Sequence, residues 1–254
     1  MCSVVEIKVG LEYVNKHGDK VIIKHIQNSN NITIYFVDYD FTKKCRERDL
    51  YSSKCPWSRS VYGVGYLGKD FYDYKGIKNL KAYERWRNML KRCYFKCDNH
   101  KCYKKITVCE EWHDFSNFYQ WYIENYYEIK GVTMTLDKDI KIKNSFIYSP
   151  KTCIFIPNTI NQIFENCKRE KCGKRNDLPL GVKWIKADNI YGCSCRVGNQ
   201  EVEWLGRSHD VVELFNRYVK RKMEIITQEV EKYKDELPQE IINILLSYKF
   251  EIND

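Results

Sequence analysis

Two groups of residues in this chain have the types and spacing to do chemistry. The first is Cys93-x3-Cys97-x2-His100-x-Cys102-x6-Cys109, five sulfur and nitrogen donors within seventeen residues. Zinc takes four such ligands in a tetrahedron, and structural sites usually draw them from two closely spaced pairs. Cys97, His100, Cys102 and Cys109 are the zinc candidates. The paired Cys-x2-Cys knuckles are missing, so the competing expectation is that Cys93 and Cys109 are core residues on the elements flanking a loop. The second group is cationic and aromatic: Lys183, Lys186, Arg196 and Arg207, with Ser194 and Trp204 between them. Cations of this kind neutralise phosphates or bond guanine edges, and an indole supplies apolar contact to a sugar or a thymine methyl.

These groups need elements to position them. Strand signals at Gly181-Val-Lys-Trp-Ile-Lys, Tyr191-Gly-Cys-Ser-Cys-Arg-Val and Glu201-Val-Glu-Trp-Leu-Gly precede a helical pattern from His209, with a stripe of Val212, Phe215, Val219 and Met223. Strand alternation sets Cys193, Cys195 and Val197 on one face, packed under the helix, and Ser194 and Arg196 on the other. Upstream, Leu80, Tyr83, Trp86, Leu90 and Cys93 recur at helical spacing and leave Arg85, Arg87, Lys91 and Arg92 mainly on the opposite face. A second helix is expected over Phe115 to Tyr127, capped by Asp114 or Ser116. Strands are expected at Met134 to Ile140 and Cys153 to Ile156, then a helix from Pro157 through Asn161 and Phe164. Val21 to Ile26 and Ile32 to Val37 alternate as strands of a small antiparallel sheet, closed by Gly63-Val-Gly-Tyr.

The chain therefore reads as α+β: a small β-domain over residues 1–76, a helical and hairpin core over 77–166, a basic linker over 167–179, and over 180–254 a three-stranded sheet with a packed helix and a helical tail. The 254 residues carry a formal charge of +9, and 12 of them are cysteine. That charge is uneven: about +3, +5 and +6 along the successive segments to Lys222, then about −5 from Met223 to Asp254. With a mean hydropathy of −0.60 and no apolar run near the ~20 residues of a spanning helix, no membrane association is expected. No cationic, then apolar leader opens the chain, so the expected location is the cytoplasm, where thiols stay reduced.

Two stretches resemble known families. Tyr83-x2-Trp86-x2-Met89-Leu-x-Arg92-Cys93-Tyr, Val108-Cys-Glu-Glu-Trp-x-x-Phe-x-Asn-Phe, Leu136-Asp-Lys-Asp-Ile and Tyr148-Ser-Pro-x-x-Cys-x-Phe-x-Pro together resemble phage proteins related to the HNH, or His-Me finger, endonucleases. That resemblance implies a β-hairpin and helix gripping one divalent metal, usually magnesium, at a scissile phosphate. In that family a His ends the first strand and activates water. Here the position holds Lys138 or, shifted by one, Asp139. A lysine would have to lose about three pKa units from ~10.4 to act as a base near neutrality, and a carboxylate of pKa ~4 is a weak base for water. The implied site is Asp137, Lys138, Asp139 and Asn161, of which Asp137, Asp139 and Asn161 are oxygen donors suited to magnesium.

The segment from Leu180 to Lys222 resembles the Apetala/ethylene-response-factor DNA-binding domain, in which a three-stranded sheet enters the major groove with a helix on its back. In phage and mobile-element proteins that module commonly follows an HNH-type domain. The expectation is a phage-type protein, encoded for the host bacterial cytoplasm, that binds double-stranded DNA and nicks or cuts it as a homing-type endonuclease. Arg85, Arg87, Lys91 and Arg92 would grip the backbone, and Lys183, Lys186, Ser194, Arg196, Trp204 and Arg207 would choose the site. The missing His supports a second expectation, a DNA-binding regulator without cleavage. The acidic tail, with 20 Tyr and 6 Trp in the chain, supports a third, an inhibitor that binds a host nuclease or defence protein.

Overall fold

The computed structural model describes residues 6–95, 105–165, 178–197 and 201–253. The protein is α+β, with a four-stranded antiparallel sheet and a three-stranded sheet. Its chain forms two compact units, Met1–Tyr126 with Phe146–Lys151, and Tyr127–Ser145 with Thr152–Asp254.

Unit 1 begins with strands β1 (Glu12–Val14), β2 (Lys20–Asn28), β3 (Asn31–Phe36) and β4 (Phe41–Cys45), hydrogen-bonded in that order. Alternate residues are buried: Val21 and Ile23 on β2, and Ile32, Ile34 and Phe36 on β3, all packed with Leu50 and Cys55. Alternation at period two builds this core, because successive side chains leave a strand on opposite faces. Strand β4, whose sequence is Phe-Thr-Lys-Lys-Cys, packs Phe41 and Cys45 against the same core.

The Gly63–Tyr66 segment does not close this sheet, contrary to the sequence expectation. Val61 and Gly65 form an isolated antiparallel bridge, and Tyr66 pairs in parallel with Asp114. Packing dictates this course. A Cβ on Gly65 would lie 2.5 Å from Leu90 and 2.9 Å from Trp86, so only glycine lets the backbone pass these side chains.

The rest of unit 1 is aromatic. After a short helix α1 (Gly68–Phe71), helix α2 (Lys81–Tyr94) buries Ala82, Trp86, Met89 and Leu90. Helix α3 (Phe115–Asn125) buries Phe115, Phe118, Trp121 and Tyr122, and its cap is Asp114, whose carboxylate accepts from the Ser116 N–H at 2.8 Å. Between α2 and α3, β5 (Thr107–Val108) pairs in parallel with β7 (Ile147–Tyr148). Two fully buried tryptophans differ in one respect. The Trp86 indole N–H donates to the Trp112 carbonyl at 2.6 Å, whereas the Trp112 indole nitrogen has no partner. An unpaired buried donor costs about 1–3 kcal/mol. Trp112→Phe removes that cost and is expected to lose measurably less stability than Trp86→Phe in urea titrations; equal losses would contradict this account.

In unit 2, β6 (Met134–Asp137) pairs antiparallel with β8 (Ile154–Pro157), and α4 (Asn158–Glu165) follows directly. Pro157 ends the strand rather than opening the helix, a one-residue difference at an element boundary. Strand β6 stops short of Ile140 because the Asp137 carboxylate turns the chain, accepting from the Asp139 and Ile140 N–H groups at 2.8 Å each. The three-stranded sheet comprises β9 (Val182–Ile185), β10 (Ile190–Arg196) and β11 (Val202–Ser208), with β10 central.

Helix α5 (Val211–Lys232) is capped by Asp210, which accepts from Val212 and Glu213 N–H groups. Its buried stripe is Leu214, Phe215, Tyr218, Lys222, Ile225, Ile226 and Val230, while Val212 is 52% exposed. The expected stripe through Val212 and Val219 is displaced because the sheet covers the neighbouring side, where Leu214 meets Cys193. Helix α6 (Gln239–Leu246) buries Ile241 and Leu245. The acidic tail packs on its own unit: Tyr248 and Phe250 lie against Phe164 of α4, Glu240 pairs with Lys141 at 3.4 Å, and Glu251 pairs with Lys143 at 3.6 Å.

Candidate nucleic-acid interface

The three-stranded sheet has one covered and one open face. Val182, Cys193 and Cys195 are buried on the covered face, and the Cys193 thiol donates to the Leu214 carbonyl of α5 at 3.3 Å. Burial pushes the Cys193 thiol up to about 11, so it is a neutral core group near pH 7. Glu203 also points to this side, accepting from Arg221 of α5 at 2.8 Å.

Register assigns the open face. Lys183 lies opposite Gly192 and Gly192 opposite Arg207, while Ser194 lies opposite Trp204 across a bulge between Cys193 and Ser194. The Trp204 ring crosses Gly192, where a Cβ would come within 2.3 Å of the indole and 2.7 Å of Ile185. Glycine is thus required for the ring to lie flat on the sheet. Lys183 Nζ stands 5.2 Å from that ring's centroid, and the Arg207 guanidinium 6.0 Å. The indole remains 46% exposed. Arg196 is exposed at the end of β10, and Lys186 is exposed in the turn between β9 and β10. Arg207 is tied to Asp188 of that turn at 2.5 Å, with both partners about half exposed, a pair worth about 0–1 kcal/mol and easily exchanged for another anion. Of the six residues named from sequence, Lys183, Ser194, Arg196, Trp204 and Arg207 therefore belong to one small sheet, and Lys186 to its β9–β10 turn. Sequence reasoning did not find Gly192 or Ile185, which seat the tryptophan; the glycine within an alternating strand was the available signal.

The hairpin of unit 2 carries the other candidates. Asp137 ends β6 and is 8% exposed, with one carboxylate oxygen occupied by the two backbone N–H groups of its own turn. Lys138 is 5% exposed, and its ammonium donates to Asp139 at 2.5 Å and to the Ser145 carbonyl at 2.6 Å. These two bonds make the Lys138 side chain a tie between Asp139 and the Ser145 backbone of the loop. Asn161 lies on α4, 5% exposed, and its amide oxygen has no hydrogen-bond partner. Among the described residues no three His, Cys, Asp or Glu side chains group as a metal site.

Arg85, Arg87, Lys91 and Arg92 are all on α2 in unit 1. Arg87 and Lys91 are exposed, the first over the Tyr62 ring and the second over Phe95; Arg85 and Arg92 are half-buried. Of the cysteine cluster, Cys97, His100 and Cys102 lie outside the described residues. Cys109 is half-buried, and burial raises its thiol pKa. No described helix is long and apolar enough to cross a membrane. No protein-family model, curated protein or solved structure matches the chain.

Proposed function

We propose that the protein binds double-stranded DNA through the open face of the β9–β10–β11 sheet, as a phage-type protein acting in a bacterial cytoplasm. The observation that carries this reading is the exposed Trp204 indole seated on Gly192 between Lys183 and Arg207. A sheet of this width enters the major groove; Arg207 or Lys183 then bonds guanine O6 and N7, and the indole meets a thymine methyl. Lys186 and Arg196 at the sheet ends neutralise phosphates, which releases counterions and makes affinity fall with salt.

A second reading gives the hairpin and α4 a hydrolytic role, following the His-Me finger resemblance, and the unpartnered Asn161 oxygen favours it. Magnesium requires about six oxygens in an octahedron. Here Asn161 offers one, Asp137 has already committed an oxygen to its own turn, and the Lys138 ammonium holds Asp139. These residues do not make up a magnesium shell as they stand.

One titration separates the readings. Fluorescence anisotropy with labelled duplex between about 50 and 200 mM salt is expected to show a steep log–log slope, reduced by about two in Lys186→Gln/Arg196→Gln, whose cations neutralise phosphates. Affinity that ignores salt sinks the binding reading. Recovered duplex is expected to be intact after incubation with magnesium; scission that disappears in Asn161→Ala establishes hydrolysis instead.

A further inference from the structure

Unit 1 has an open surface pocket of about 490 Å³ beside β4, the last strand of its sheet. Its walls include Lys43, Lys44, Arg46 and Lys54, and the only acidic side chain among them is Asp49. Among the described residues Lys44, Arg46 and Lys54 find no ion pair or side-chain hydrogen bond. Lys43 is held in place, donating to the Lys54 carbonyl at 3.3 Å and to the Tyr72 hydroxyl, with its ammonium 5.1 Å from the Tyr72 ring centroid. The Tyr72 hydroxyl donates in turn to the same Lys54 carbonyl. The arrangement fixes an ammonium at the cavity wall and leaves it without a counter-ion.

We propose that this cavity binds a phosphate-bearing ligand, its oxygens taken by Lys43, Lys44, Arg46 and Lys54. Four cations against one carboxylate call for a multiply charged anion, and phosphates accept charge-assisted bonds from both ammonium and guanidinium groups. Burial first, then the neighbouring charges of Lys43, Lys16 and Lys78, lower the Lys54 pKa. A bound anion relieves that repulsion. The chemistry is common to a small polyphosphate compound and to consecutive phosphodiesters of a nucleic-acid strand. The inference is independent of the DNA-binding reading, which concerns unit 2.

The full-length chain is titrated by calorimetry with inorganic pyrophosphate and, separately, with a single-stranded oligonucleotide. Wild type is compared with Lys44→Gln/Arg46→Gln, with Lys54→Gln, and with Lys8→Gln/Lys20→Gln as a charge-matched change of exposed residues in the same domain. The expected result is at least a tenfold loss of affinity in both cavity variants and little change in the control. Loss for pyrophosphate identifies a small phosphorylated ligand; loss confined to the oligonucleotide identifies a strand backbone. Lys44 and Arg46 are exposed, so their replacement leaves the fold intact. No binding of either probe, or equal losses in cavity and control variants, overturns the proposal. Lys183→Gln/Arg207→Gln keeps the cavity affinity of wild type, so failure of the sheet reading and failure of this one are distinguishable.

Discussion

Trp204→Ala is expected to weaken duplex binding by about tenfold to a hundredfold while leaving the protein folded. The indole is 46% exposed and rests on the open face of the sheet, so truncation removes little core. It does remove an aromatic surface and the platform beside which Lys183 and Arg207 are arranged, at 5.2 and 6.0 Å. Central aromatic anchors and good base contacts are each worth about 1–3 kcal/mol, and 1.4 kcal/mol is tenfold. Anisotropy with labelled duplex gives the affinity, and thermal unfolding checks the fold. A Trp204→Ala protein that binds as tightly as wild type would remove the sheet from the interface. Trp184, 43% exposed, is the natural comparison, since it pairs with Tyr191 on the covered side of the sheet and its ring packs 4.6 Å from that tyrosine. Its replacement is expected to affect DNA much less.

The largest stability effect is expected from Gly181→Ala. Gly181 has φ +76°, a region that costs an L-residue roughly 1–2 kcal/mol. A Cβ there would also lie 2.2 Å from the Tyr218 ring and 2.9 Å from the Ser194 carbonyl oxygen. Tyr218 is 4% exposed on α5, and the Gly181 carbonyl accepts from the Ser194 N–H at 2.9 Å, so neither neighbour can retreat freely. Overpacking of a tight core adds about 1–3 kcal/mol. Together these predict a loss of about 2–5 kcal/mol, read from the denaturant midpoint. Gly131→Ala supplies the control: it has a similar φ of +77° but nothing within 4 Å of the added methyl, so only the backbone term remains. If the two variants lose the same stability, the close approach of β9 to Tyr218 is not what the glycine serves.

Much of the architecture was legible because it depends on local periodicity. The β2 and β3 strands alternate cleanly between buried and open sides, and the β6–β8 hairpin with its following helix is announced by apolar runs and a proline. β4 was not found, since Lys43 and Lys44 interrupt its apolar residues and the strand is half solvated. The turn at Asp137 was missed for a related reason: a carboxylate that accepts two N–H groups two and three residues ahead leaves no trace in hydropathy. The site was legible in composition but not in arrangement. Sequence placed Lys183, Trp204 and Arg207 in one segment, yet only cross-strand register brings them around a single ring over Gly192. Likewise, Lys43, Lys44, Arg46 and Lys54 looked like part of a modest positive balance, and only folding collects them at one cavity.

Helix α5 has a further consequence. Its buried stripe runs unbroken from Leu214, under Cys193 of the sheet, to Val230, and the helix packs on α4 as well as on all three strands. Twenty-two residues make a rod about 33 Å long, close to one turn of B-DNA at about 34 Å. The rod therefore acts as a ruler within its unit, because both the three-stranded sheet and α4 pack along it. Lengthening α5 by about one helical turn would nearly preserve the stripe's facing while changing the span over which the sheet and α4 share one helix.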